Sequence, residues 1–265
     1  MKKTLFVFTT ILFFALALSA CKKDEINNNG SNNVNQEYPS TDHVLPNAVT
    51  DIDGNSYDAV QIGDQVWMAE NLRTTRYANG TTIPLGGTFS GSEQYRYAPG
   101  LSQSNEENMA NVARYGYLYN WSVVYHGGIC PNGWHVPSIY EWEELTKYMA
   151  KQSTYTASGD PEHLAKALAA TWGWNSSSEV DAPGNNPATN NATGFSSLPA
   201  GKYGGVYNGR PDGKYDGFGD CAFYWSTSPS ASPAVYCCEL TYDNAYVKRF
   251  LSINFIGMSV RCVRD

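Results

Sequence analysis

The stretch GICPNGWHVPSIYEWEEL, residues 128–145, concentrates side chains that could do chemistry: Cys130, His135, Glu141, Glu143 and Glu144. A histidine acting as general base needs a nucleophile or carboxylate within hydrogen-bond reach, and Glu141 is in range along the chain. Ser138 and Glu141, however, stand in the S-x-x-E spacing of a capping box, which commits the glutamate to the helix start. Glu143 and Glu144 fall off the apolar face that Ile139, Trp142, Leu145 and Met149 define. The stretch reads as scaffold, with Trp134 and Trp142 as core and His135 structural. No catalytic residue is assigned.

Metal and thiol chemistry come next. The acidic run PDGKYDGFGD offers Asp212, Asp216 and Asp220 as oxygen ligands for calcium. The same Asp/Gly pairs are ordinary turn residues, and that reading is preferred. DIDGN places oxygens at Asp51, Asp53 and Asn55, but Ile62 stands where a calcium loop needs its bidentate glutamate, so a plain turn is expected. Cys237 and Cys238 are neighbours in AVYCCELTY, and adjacent strand residues point to opposite faces. They cannot grip one metal together, and no cofactor is expected. Binding through rings remains. Nineteen tyrosines and seven tryptophans exceed the needs of one core. Trp172, Trp174, Tyr203, Tyr207 and Tyr215 fall in the loops 172–194 and 203–220, where flat rings beside polar neighbours suit glycan or protein contacts.

The elements that position these groups follow from pattern. At the N-terminus Lys2 and Lys3 precede an apolar run from Leu5 to Leu18, shorter than the roughly 20 residues of a membrane-spanning helix. The run ends in LSAC, which resembles a bacterial lipobox, so residues 1–20 are expected to be a signal peptide and Cys21 the lipidated first residue. The KKDE that follows Cys21 resembles the export signal of surface lipoproteins in the Bacteroidetes. The expected location is the outer membrane, lipid-anchored and facing the exterior. Residues 21–49, rich in Asn and Ser, form a flexible tether. Loss of Lys2 and Lys3 leaves 16 basic against 25 acidic side chains, a net charge of −9. That balance excludes nucleic acid as a partner.

Residues 50–265 read as a single domain. Tyr57–Ile62 and Gln65–Ala69 flank Gly63-Asp64 as a type II′ hairpin, with Val60 opposite Trp67 in the core. Residues 77–113 read as a surface excursion, and YGYLYNW (115–121) as buried. A helix follows the capping box. A second is expected over DPEHLAKALAA, capped by Asp160 with Pro161 at its first position. Short aromatic and β-branched strands complete an α+β domain.

Six blocks then carry a family resemblance: DIDGNSYDAVQIGDQVWMAENL, YGYLYNW, CPNGWHVPSIYEWEEL, TGFSSLPAG, FYWSTS and GMSVRCVRD. In this order they resemble the Fibrobacter succinogenes major paralogous domain over nearly all of residues 50–265. That family looks related to the C-type lectin-like superfamily, including formylglycine-generating enzymes. The resemblance implies a lectin-like fold of two helices on short antiparallel sheets with long loops. It also implies a bridge between the first helix and the last strand, hence Cys130 with Cys262. Cys221 then pairs with Cys237 or Cys238, with Cys237 favoured by strand alternation. The EPN, QPD and WND motifs of calcium-dependent lectins do not occur. Formylglycine-generating enzymes bind copper through two cysteines separated along the chain, unlike the adjacent pair here. The expectation is a non-catalytic surface lipoprotein binding an extracellular glycan or protein, an adhesin. A formylglycine-generating-type oxidoreductase and a structural component of a surface assembly are the alternatives.

Overall fold

A computed structural model describes residues 44–86, 92–100, 105–207, 210–229 and 234–265. The signal peptide, Cys21 and most of the tether lie outside these residues. The chain opens with β1 (Val44–Thr50) and β2 (Ser56–Ile62), joined by DIDGN. The first strand therefore starts inside the stretch assigned to the tether. VLPNAVT escapes a burial-based reading because it is an edge strand whose side chains are mostly exposed. Asp51 makes the turn: its carboxylate accepts from the backbone N–H of Asp53 and Asn55, each at 2.9 Å, and from the Tyr57 hydroxyl at 2.6 Å. These bonds hold it as a turn residue.

The hairpin of β2 with β3 (Gln65–Met68) has the expected register, Ile62 opposite Gln65 and Val60 opposite Trp67. Gly63 has φ +62°, whereas Asp64 keeps a negative φ, as a II′ turn requires. A Cβ on Gly63 would stand 2.9 Å from the Tyr148 ring, so close packing demands glycine as well.

The presumed excursion contains β4 (Arg96–Tyr97) and the helix α1 (Asn105–Tyr115). NEENMANVARY hides its helix because only Val112 and Tyr115 are buried. Its charges suit the dipole, with Glu106 and Glu107 in the first turn and Arg114 in the last. β5 (Leu118–Asn120) is the buried core of YGYLYNW, and α2 (Trp121–His126) follows at once. After β6 (Trp134–His135), α3 (Ile139–Met149) starts at the anticipated capping box, with Trp142, Leu145 and Met149 buried. Trp134 itself is only half-buried, opposite Arg264 at the edge of its sheet.

The second expected helix shrinks to α4 (Ala165–Leu168). Asp160 instead holds a short turn, accepting from the Glu162 N–H at 2.9 Å. His163 bridges to Tyr246 and reaches Asp181, which keeps residues 161–164 out of helical geometry. The remainder is strand: β7 (Ala200–Tyr203), β8 (Val206–Tyr207), β9 (Arg210–Pro211), β10 (Tyr215–Phe218), β11 (Cys221–Pro229), β12 (Ala234–Thr241), β13 (Lys248–Ile253), β14 (Gly257–Ser259) and β15 (Val263–Arg264).

The result is a sheet-rich α+β domain. One sheet runs β1-β2-β3-β15-β6, and the larger runs β13-β12-β11-β7-β14-β5-β4, with β10 beside β7. The last segment crosses from the large sheet to the small one, so β15 pairs with both β3 and β6. The core lies between the sheets and α3. Trp67, Trp142, Phe195 and Tyr224 pack there with ring centroids 4.8–6.2 Å apart. No helix among the described residues is long and apolar enough to cross a membrane.

Candidate functional site

His135 sits between two carboxylates. Its Nε2 lies 2.6 Å from Glu141 Oε1 and its Nδ1 2.6 Å from Asp265 Oδ1. Glu141 uses its second oxygen for the capping box, accepting from the Ser138 N–H at 2.7 Å. The imidazole thus ties the start of α3 to the C-terminal residue. Burial disfavours its charged form, but the hydrogen bonds it donates to Asp265 and Glu141 outweigh burial and raise its pKa above 6.5. A raised folded pKa means stability fully present below pH 6.5 and lost as pH rises through the folded value. Wild type is therefore expected to exceed H135Q in stability at pH 6 by more than at pH 9. The side chain is 42% exposed, so solvent keeps the effect small. Urea melts at the two pH values test this, and an equal gap at both would refute the clasp.

Cys130 and Cys262 are joined, 132 residues apart in sequence. Cys221, Cys237 and Cys238 are buried thiols, so the expected Cys221–Cys237 bridge does not form. In the β11–β12 register Cys221 faces Thr241 whereas Cys237 faces Trp225. Both thiols share a face but lie four positions apart, about 13 Å at roughly 3.3 Å per residue. A disulfide needs Cα atoms within about 7 Å. Cys238 points the other way, into the main core. Burial pushes the thiols of Cys237 and Cys238 up, so both stay protonated near neutrality.

The three aspartates do not converge. Asp216 pairs with Lys202 at 3.4 Å, Asp220 accepts from Asn175 Nδ2 at 2.7 Å, and Asp212 accepts from the Lys214 N–H at 3.3 Å. Among the described residues no three His, Cys, Asp or Glu side chains are grouped to hold a metal ion.

The five ring candidates also separate. Trp174 is buried in the main core and presents nothing to a ligand. Tyr203 stacks on Tyr97 at 4.0 Å and contacts Tyr215 at 4.8 Å. Both are half-buried in a second cluster, and burial raises Tyr215 to about 12. The side chain of Tyr207 lies outside what the structure describes. Among the four candidate rings that are described, Trp172 alone is presented, 47% exposed, with its ring 5.7 Å from the Tyr115 ring.

Trp172 borders a cleft of about 520 Å³. It is also lined by Asp58 from β2, Glu70 just after β3, Arg114 from the end of α1, and Thr171, which precedes the ring. The Glu70 carboxylate is fixed at both oxygens, accepting from the Asp58 N–H at 3.1 Å and from Arg73 Nη1 at 3.3 Å. Another side is the loop NATGFS, residues 191–196. Its backbone is unusual: Asn191, Gly194 and Ser196 have φ of +73°, +75° and +56°. Such conformations persist only where surroundings over-determine them. Asn191 accepts from the Ser196 N–H and donates to its hydroxyl, both at 2.8 Å. From below, the buried guanidinium of Arg261 donates to the carbonyls of Phe195 and Ser196.

Of the ring candidates singled out in the sequence, Trp172 is placed at the cleft, as is the end of the loop 172–194; Asp58, Glu70, Arg114 and Arg261 were not singled out. No local motif marks the first three. Residues 193–196 of the loop fall within TGFSSLPAG, one of the blocks that carried the resemblance, and that was the available signal. None of the described residues of the 203–220 loop lines the cleft.

These features define the class: a sheet-rich α+β domain, closed by one disulfide, with an exposed tryptophan beside a polar cleft. Residues 60–264 match the family model of the Fibrobacter succinogenes major domain, and the chain belongs to that family. No curated protein and no solved structure matches the chain.

Proposed function

We propose that this protein is a lipoprotein of the outer membrane, anchored by lipid on Cys21 and facing the exterior. Its non-catalytic domain binds an extracellular ligand, glycan or protein, in the cleft beside Trp172. The observation that carries the reading is the ring of Trp172, exposed yet steadied by Tyr115, beside acidic, basic and hydroxyl side chains. Preformed concave sites with a few convergent polar groups are where ligands bind. The lectin-like architecture is supported by the return of β15 to the sheet of the first hairpin and by the bond between Cys130 and Cys262. Binding is favoured over thiol catalysis because Cys237 and Cys238 are buried and held protonated.

Full-length protein made in a bacterium with lipoprotein processing is expected to incorporate labelled palmitate. C21S is expected to lose the label, and extracellular protease is expected to degrade wild type on intact cells. The detergent-solubilised full chain should bind to an array of neutral oligosaccharides or of purified extracellular-matrix proteins. Label retained in C21S would refute the anchor, and silence on both arrays would refute the binding role.

A further inference from the structure

Resting on that reading, we infer that the cleft takes a neutral, hydroxyl-rich pyranose glycan, stacked on Trp172 and read by Glu70, Asp58, Arg114 and Thr171, without a metal ion.

The first argument is charge. Asp58 and Glu70 line the cleft with Arg114, and Arg73 is paired to Glu70 at 3.3 Å. Two carboxylates against two guanidinium groups leave the site close to neutral, inside a chain of net charge −7. A polyanion would meet two fixed carboxylates and an acidic protein. A cation would find Glu70 already paired.

The second argument is hydrogen-bond chemistry. A sugar hydroxyl donates and accepts at once, so its best partners are acceptors and donors side by side. Glu70 and Asp58 supply carboxylate oxygens, Arg114 supplies guanidinium donors, and the exposed Thr171 hydroxyl does both. The Asp58 N–H and Arg73 pre-set the Glu70 carboxylate and lower the ordering cost of binding.

The third argument is shape. Trp172 gives one flat apolar face, which suits the C–H face of a pyranose ring. A cleft of about 520 Å³ lies within the roughly 300–1,000 Å³ of small-ligand sites, smaller than a folded protein surface would fill. The left-handed residues Asn191, Gly194 and Ser196 hold this shape before any ligand arrives.

The test uses the detergent-solubilised full chain and calorimetric titration with cellohexaose, mannohexaose and xylohexaose, with hexagalacturonate as the anionic control. Binding of at least one neutral hexasaccharide, unchanged by EDTA, is expected. W172A should weaken it roughly tenfold or more, since it removes the apolar ring face on which the sugar stacks. E70Q should weaken it severalfold, with melting temperatures of both variants unchanged. Preference for hexagalacturonate, loss of binding in EDTA, or neutral-sugar binding indifferent to W172A would each overturn the inference. Capture of a matrix protein with no sugar binding would overturn it too, yet leave the surface-binding role standing. Failure of both removes both.

Discussion

Replacing Cys130 and Cys262 together by alanine is expected to lower the stability of the domain by about 5 kcal/mol. The bond closes a loop of 132 residues, and the chain-entropy model assigns a loop of that size roughly this value at 25 °C. For a domain of this size the melting temperature should fall by roughly 10–20 °C. The native geometry should survive the loss. The crossing segment is also held by backbone bonds, Met68 N–H to the Cys262 carbonyl at 3.0 Å and Leu72 N–H to the Val260 carbonyl at 2.9 Å. The effect therefore belongs mostly to the unfolded chain, which expands when uncrosslinked. A second readout follows: the denaturant m-value should rise, because a looser unfolded state exposes more surface. Calorimetry and urea melts of the double variant measure both. A loss below about 1 kcal/mol, with unchanged m-value, would show that the bond does not constrain the denatured ensemble.

What could be read from the sequence was what depends on neighbours along the chain. Ser138 and Glu141 are three residues apart and make their capping box as expected. Gly63-Asp64 sets its hairpin because only the two turn residues decide it. Where tertiary contacts decide, the reading failed in both directions. DPEHLAKALAA has a good cap and stripe, but His163 is drawn to Asp181 and the helix loses its first turn. NEENMANVARY has almost no stripe, yet forms α1. Strand alternation separated the faces of Cys237 and Cys238 and favoured Cys237 as the partner of Cys221, but the face of a residue says nothing of its distance along the strand. The cleft was opaque for the same reason. Asp58, Glu70, Arg114, Trp172 and Ser196 come from four separated segments, and none of these segments carries a pattern that names the others.

Arg261 unites those segments, and its removal is expected to be the most damaging single change. It lies in the crossing segment between β14 and β15 and is 1% exposed. Among the described residues no carboxylate forms an ion pair with it. Its charge is met by acceptors: Asn71 Oδ1 takes two bonds, at 3.2 and 2.6 Å, and the carbonyls of Met68, Phe195 and Ser196 take the others. The guanidinium also lies 4.3 Å from the Phe195 ring centroid and 5.6 Å from that of Tyr224. Burial lowers its pKa, as for any cation removed from water. Asn71 extends the network, donating to the Tyr115 carbonyl at 2.9 Å and to Ser259 at 3.3 Å, and Tyr115 supports Trp172. R261A leaves these acceptors unpaired beside a new cavity, so a loss above about 4 kcal/mol is expected. R261K keeps the charge, but one ammonium cannot replace a planar fork serving several acceptors; about 2–3 kcal/mol should go. In R261K, if folded, amide exchange across residues 194–198 should accelerate more than in α3, because the Phe195 and Ser196 carbonyls have lost their anchor. Urea melts and hydrogen-exchange mass spectrometry measure the two effects. An R261M variant as stable as wild type, with unchanged exchange at 194–198, would show that packing alone holds the cleft wall and that the charge is dispensable.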